Sequence, residues 1–218
     1  MSEVELISAR SREEIFARLN DAYEDKKFSR LESIDPVGHI ASRGEILGEM
    51  KQKMSDNKYM VEESAAEDLE EKINAIAENY GYESLIYPAN LNLDMEKIRA
   101  GKKICFDQEI EALRREVFHS DFSIIRARCG VSSHGVALVL SSPAQPRMLS
   151  LAPKLCIVLL QKENVVASLA EALNLVKKEN EILPSNILFI AGPSRTADIE
   201  LIPVFGVHGS QKVHIVLY

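Results

Sequence analysis

A layered α/β domain behind a helical arm is the fold class this sequence predicts, and three observations predict it. From about residue 83 onwards short apolar runs alternate with helix-period stretches, the pattern of strands feeding crossover helices into a largely parallel sheet. Before about residue 80 the chain is instead rich in Glu, Lys, Ala and Leu, with apolar residues recurring at helical spacing. The whole chain, 218 residues with 46% hydrophobic and 27% charged, suits one large domain or one domain plus an appendage. The expected organisation is a helical region over 1–80 that packs on the core, followed by an α/β domain over 81–218.

Taken in order, Ile15, Leu19 and Tyr23, then Ile46, Met50 and Met54, then Leu69, Ile73 and Ile76 mark three amphipathic helices. The stretch Asp35-Pro36-Val37-Gly38 separates the first two, and Asp56-Asn57 marks a turn before the third. Strands are expected at 84–87 and 103–106, then a helix over 108–118 with Asp107 as its N-cap. A strand over 121–126 leads to Gly130, and 136–140 follows closely enough to form a hairpin, so the sheet can be mixed. A buried strand at 155–160, a helix over 165–179, and strands at 187–191 and 213–218 complete the set. The segment 192–209 then joins a central strand to the final one.

Composition excludes several classes of function. A net charge of -7 argues against a nucleic-acid surface, which needs clustered Lys and Arg. No apolar run approaches the ~20 residues of a membrane helix, and the first residues lack the basic head and apolar middle of a signal peptide. The chain is therefore expected in the cytoplasm. Cys105, Cys129 and Cys156 lie far apart, without the spacing of a zinc or iron–sulfur ligand set; Cys105 and Cys156, inside apolar runs, read as reduced core residues, and Cys129, before Gly130 at a strand end, has a reactive thiol as its alternative. Phosphate loops of the Walker type, Gly-x-Gly-x-x-Gly and His-x-x-x-His pairs are absent from the sequence.

The chemistry concentrates in "GPSRTADIELIPVFGVHG" at 192–209. Open α/β sheets bind ligands beyond the carboxyl ends of their strands, where this segment is expected to lie. Gly192 and Pro193 turn the chain, and Ser194 or Thr196 can cap a short helix over 198–201. With Arg195, that helix start forms a cradle for a carboxylate or phosphate. The alternative is structural, with the hydroxyls capping and Arg195 paired to Asp198. His208 lies between Gly206 and Gly209, as a proton carrier or a loop-fixing donor. A second turn, Gly130 to Gly135, offers Ser132, Ser133 and His134 as the opposite wall of one crevice. Neighbours on an extended stretch point to opposite faces, so Ser133 and His134 are expected to line a ligand rather than form a dyad.

These residues carry a resemblance. "GPSRTADIE", followed by "GVHG" and a terminal strand, is similar to the signature of the lactate utilisation protein C family, also called the LUD domain or YkgG-like. The likeness covers about 121–218, including "RMLSLAPKLCIVLL". It implies a three-layer α/β/α sandwich similar to the ribose-5-phosphate isomerase and CoA-transferase group. It also implies a part in oxidising L-lactate to pyruvate with partner proteins that carry iron–sulfur clusters, this chain holding none on its own cysteines. Carried over, the ligand-binding residues are Gly192, Ser194, Arg195, Thr196, Asp198, Gly206, His208 and Gly209, with Ser133 and His134 in the second turn; no catalytic residue is assigned and no metal ligand. Two positions depart from the family pattern: Ser210 stands where relatives have Pro, and Ser133 stands where the turn commonly carries Glu.

The first functional reading is thus an accessory subunit of a lactate-oxidising system that binds a small carboxylate or phosphorylated ligand at the 194–208 loop. The others are a stand-alone isomerase or acyl/CoA-transferase-like enzyme, and a non-catalytic interaction scaffold. A self-sufficient enzyme needs an acid or base in its pocket, and Ser133 in place of Glu counts against it.

Overall fold

The computed structural model describes residues 3–24, 44–197 and 203–218. The chain divides into two compact units, Met1–Pro36 and Val37–Tyr218. Within the first, the described element is one helix, α1 (Glu3–Glu24), on which Ile15, Phe16 and Leu19 are exposed. The second unit contains α2 (Ile46–Asp56), β1 (Met60–Glu63), α3 (Leu69–Tyr80), β2 (Ser84–Pro88), β3 (Lys102–Phe106), α4 (Ile110–His119), β4 (Phe122–Arg126), β5 (Cys129–Val131) and β6 (Val136–Leu140). It continues through β7 (Leu155–Leu160), β8 (Val165–Val166), α5 (Leu169–Glu179), β9 (Ile187–Ile190), β10 (Arg195–Ala197), β11 (Pro203–Phe205) and β12 (Lys212–Leu217). Residues 46–80 therefore belong to the same unit as the sheet.

Six strands form a wholly parallel sheet in the order β1-β12-β7-β4-β2-β3. Strand β7 shows why it is central. Its side chains alternate, Leu155, Ile157 and Leu159 toward α3 on one face, Cys156, Val158 and Leu160 toward α2 and α4 on the other, and all six are buried. A strand covered on both faces reads as a continuous apolar run, which is how this one stood out in the sequence. The result is a three-layer α/β/α sandwich. Met50 and Met54 are fully buried, one turn apart on α2, so truncating either to Ala would cost about 2–5 kcal/mol.

Four strands form a second sheet, β8-β5-β6-β9, with antiparallel β5–β6 and β6–β9 pairs. Its outer face packs under α5 through Cys129, Val131, Leu138, Ala172 and Val176. The mixed pairing expected around 136–140 is confined to this second sheet.

Four expectations are corrected. Strand β1 was not foreseen, because Met60-Val-Glu-Glu63 carries two acids; it pairs with β12, leaving Glu62 and Glu63 to ion pairs at the edge. The helix expected from residue 165 begins at Leu169. A reciprocal cap sets that start, in which Glu171 N–H donates to Ser168 Oγ and Ala167 N–H donates to the Glu171 carboxylate. The N-cap of α4 is Glu109, not Asp107, and it makes no side-chain capping bond. Strand β9 is an edge strand of the second sheet, not a central strand, so the segment after it crosses from one sheet to the other.

Chain order and sheet order diverge at β2. The chain runs from β2 to β3 on one side, and β4 then lies on the other side of β2. The β2–β4 register covers only Leu85↔Phe122 and Ile86↔Ser123, so beyond it the carboxyl-terminal ends of the two strands part.

Candidate functional site

The two sequence-predicted loops meet around the end of α2. After β5 the chain makes a single 3-10 turn, Ser132–His134, closed by Gly135 at φ 60. A Cβ at Gly135 would lie 2.5 Å from the Lys53 backbone carbon, so only glycine lets this turn approach α2. Asn57, which ends α2, donates through its side-chain amide to the carbonyls of His134 at 3.0 Å and Gly135 at 3.1 Å. Lys53 Nζ donates to the Ser133 carbonyl at 2.8 Å. On the other side Gly192, at φ 89, closes against Asn57, whose backbone oxygen a Cβ would approach to 2.1 Å. Asn57 therefore touches both loops, and it is the physical link between them.

Ser133 and His134 do not point apart as expected. The turn is 3-10 rather than extended, and Ser133 Oγ lies 2.8 Å from His134 Nδ1. Ser133 is buried, so this contact and the Lys53 bond together fix the turn.

The second half of the motif forms a hairpin. Arg195–Ala197 pairs with Pro203–Phe205, which places Thr196 in a strand rather than at a helix start. Asp198 and the helix expected over 198–201 lie outside the described residues. Arg195 is exposed, and its guanidinium donates to the Ala191 carbonyl at 2.9 Å. Ser194 N–H donates to the Ser210 carbonyl at 3.0 Å, and Gly206 N–H donates to the Ser194 carbonyl at 2.8 Å. Gly209 packs against Ser194, while His208 and Val207 are exposed. Ser210 is buried, and its hydroxyl donates to the Pro153 carbonyl at 2.8 Å and lies 3.2 Å from that of Ser150. It clamps the loop to the start of β7.

A cavity of about 380 Å³ lies elsewhere, at the carboxyl ends of β2, β4 and β7. Asn90 and Leu91 follow β2, Arg126 to Arg128 end β4, Leu140 to Ser142 end β6, and Gln161 and Asn164 follow β7. Gln145 is buried and braces this wall: its Oε1 accepts from Arg126 N–H at 2.9 Å and its Nε2 donates to the Arg126 carbonyl at 3.0 Å. Arg128 forms a two-pronged ion pair with Glu179, which raises its pKa and lowers that of Glu179 through their shared hydrogen bonds. The Arg126 guanidinium is exposed and has no ion-pair partner among the described residues.

The three cysteines stand on three different strands, β3, β5 and β7. Burial pushes Cys129 up to about 11 and Cys156 up to about 12, and raises Cys105 as well. They are thiols rather than thiolates and do not converge on a cluster site. Among the described residues no group of three or more His, Cys, Asp or Glu is placed to hold a metal ion, and no helix is long and apolar enough to cross a membrane.

Sequence reasoning missed Asn57, Lys53, Gln145 and both arginines of the cavity. The arginines had a readable signal: Arg126 and Arg128 are two apart at the end of an apolar strand, which puts both on one side. Asn57 had none, since its role depends on two segments about 80 and 135 residues away.

Comparison with known proteins places these features in context. The LUD domain family model matches residues 3–218. An uncharacterized protein of Neisseria meningitidis is 34% identical over 113 residues, 51% of this chain and 48% of that protein. YkgG of Escherichia coli is 41% identical over 92 residues, 41% of this chain and 40% of YkgG. Lactate utilization protein C of Halalkalibacterium halodurans is 29% identical over 157 residues, 68% of each chain. The matched stretch thus spans less than half the length of the first two relatives. Among solved structures, a DUF162 family protein from Deinococcus radiodurans superposes with a TM-score of 0.57 at 19% identity, covering 81% of this chain and 98% of that one. That likeness is one of fold.

Proposed function

The chain belongs to the LUD domain family, and from that membership we propose that it is a component of L-lactate utilisation, acting with partner proteins that carry iron–sulfur clusters. The observation that carries this reading is the family match over 3–218 together with relatives named lactate utilization protein C. In this reading the redox centres belong to the partners, and Cys105, Cys129 and Cys156, on three separate strands, serve as packing thiols. The 194–208 loop takes a small carboxylate or phosphorylated ligand. Arg195 supports this part: its side chain is exposed, and its guanidinium is oriented by a bond to the Ala191 carbonyl, the one hydrogen bond it makes among the described residues.

The test is lactate-dependent dye reduction in anaerobic lysate of cells lacking this chain, before and after adding the purified protein. Deletion is expected to abolish the activity and addition to restore it, with Arg195→Ala restoring it at a raised lactate requirement. Undiminished dye reduction in the deletion lysate would overturn the reading.

A further inference from the structure

We propose a second ligand site in the cavity at the carboxyl ends of β2, β4 and β7, built to hold a small phosphomonoester with a hydroxylated body by Arg126. The proposal goes beyond the lactate reading and shares no residue with the 194–208 loop.

The first support is topological. In an open parallel sheet the loops leaving two adjacent strands diverge where the chain order reverses, and the gap between them is a natural ligand crevice. Here the reversal falls at β2, whose chain neighbour β3 and spatial neighbour β4 lie on opposite sides. The β2–β4 ladder stops after two residue pairs, so the strand ends part where Asn90 and Arg126 line the cavity. Its volume, about 380 Å³, lies within the range of small-molecule sites.

The second support is the distribution of charge and bonding. Arg128 is neutralised by Glu179, whereas Arg126 has no ion-pair partner among the described residues. Among the described lining residues the unbalanced charge is thus the Arg126 guanidinium, a planar fork matched to two oxygens of a phosphate. The backbone behind Arg126 is held on both sides by the buried amide of Gln145, so the strand end is set before any ligand arrives. Around it stand neutral donors and acceptors. The side chains of Asn90 and Ser141 make no hydrogen bond among the described residues, and Gln161 uses only its Oε1, accepting from Asn164. One cation with a ring of amides and hydroxyls fits an anionic head on a hydroxyl-bearing body better than an apolar acid.

Glycerol 3-phosphate is the probe, with inorganic phosphate and glycerol as its two halves, titrated into the full chain and followed by ¹⁵N–¹H spectra and calorimetry. The expected result is saturable binding of glycerol 3-phosphate, tighter than either half, with shifts at Asn90, Arg126 to Arg128 and Gln161. Arg126→Ala is expected to weaken it about ten- to a hundredfold while Arg195→Ala leaves it unchanged. Arg126 is exposed, so the variant should keep its melting temperature; Asn90→Leu is the second variant and should weaken binding with the charge intact. Absence of saturable binding, unchanged affinity in Arg126→Ala, phosphate alone binding as tightly, or shifts confined to 194–209 would each overturn the proposal. Lactate-dependent dye reduction with Arg126→Ala separates the two sites: loss of phosphomonoester binding leaves the lactate reading standing.

Discussion

The side-chain amide of Asn57 donates to the carbonyl of Gly135, 78 residues further along the chain, at 3.1 Å, and shares its other contact with the carbonyl of His134. The same residue's backbone carbonyl forms the floor under Gly192. Two loops that the sequence places far apart are thus held by one residue at the end of α2.

Asn57→Ala removes both donors and leaves two partly buried carbonyls without them. The expected loss is about 1–3 kcal/mol of stability, read as a lower urea midpoint with unchanged slope. A midpoint within error of the parent would show that water replaces the amide without cost.

Gly192→Ala is expected to be worse than Asn57→Ala. The added Cβ would meet the Asn57 backbone oxygen at 2.1 Å, and φ 89 is strained for any L side chain. Either the turn or the end of α2 must shift, so amide resonances of Asn57 and Gly135 should move together. Shifts confined to Gly192 and its sequence neighbours would refute the coupling.

His214 is buried on β12, with Nε2 2.9 Å from the Tyr80 hydroxyl and Nδ1 3.6 Å from Glu62, too long for a hydrogen bond. Burial lowers its pKa below the ordinary 6.5, with Lys212 adding to the fall and Glu62 opposing it. The unfolded chain therefore takes up a proton before the folded one does. This contribution to stability is intact above pH 6.5 and is lost as pH falls below it toward the depressed folded value. The melting temperature should decline from pH 7.5 to about 5, and His214→Gln should flatten that part of the slope. An equal slope in both proteins would assign the decline to other groups.

Cys129 and Cys156, fully buried and raised to about 11 and about 12, should resist iodoacetamide in the native protein at pH 8. Cys105, raised less and partly exposed, should be modified first, with the other two reacting only after denaturation. Mass spectrometry of timed aliquots gives the order. Early labelling of Cys156 would mean that the β7 core opens locally.

Much of the fold was legible because it rests on local periodicity. The run Leu155–Leu160, the spacing of Met50 and Met54, and that of Ile73 and Ile76 each announce an element and its buried face. Strand β1 was not legible, because Glu62 and Glu63 find cations in α2, α3 and the loop after β7. The geometry of Ser133 and His134 was misread for a similar reason: a 3-10 turn, stabilised by Lys53 from another element, replaced the extended stretch that the sequence suggested.

By itself the sequence determined the α/β class, a largely parallel sheet and membership of the LUD domain family, since these follow from short-range pattern and from a long motif over 192–209. Only the tertiary structure decided that β9 leaves the main sheet, that Asn57 joins the two loops, and that Arg126, at a strand reversal, has no ion-pair partner among the described residues while Arg128 has one. The physical reason is separation along the chain. Burial patterns repeat every two or four residues and can be read directly, whereas which polar group meets which is settled by segments 50 to 130 residues apart, as for Arg128 with Glu179 and Tyr59 with Ile190.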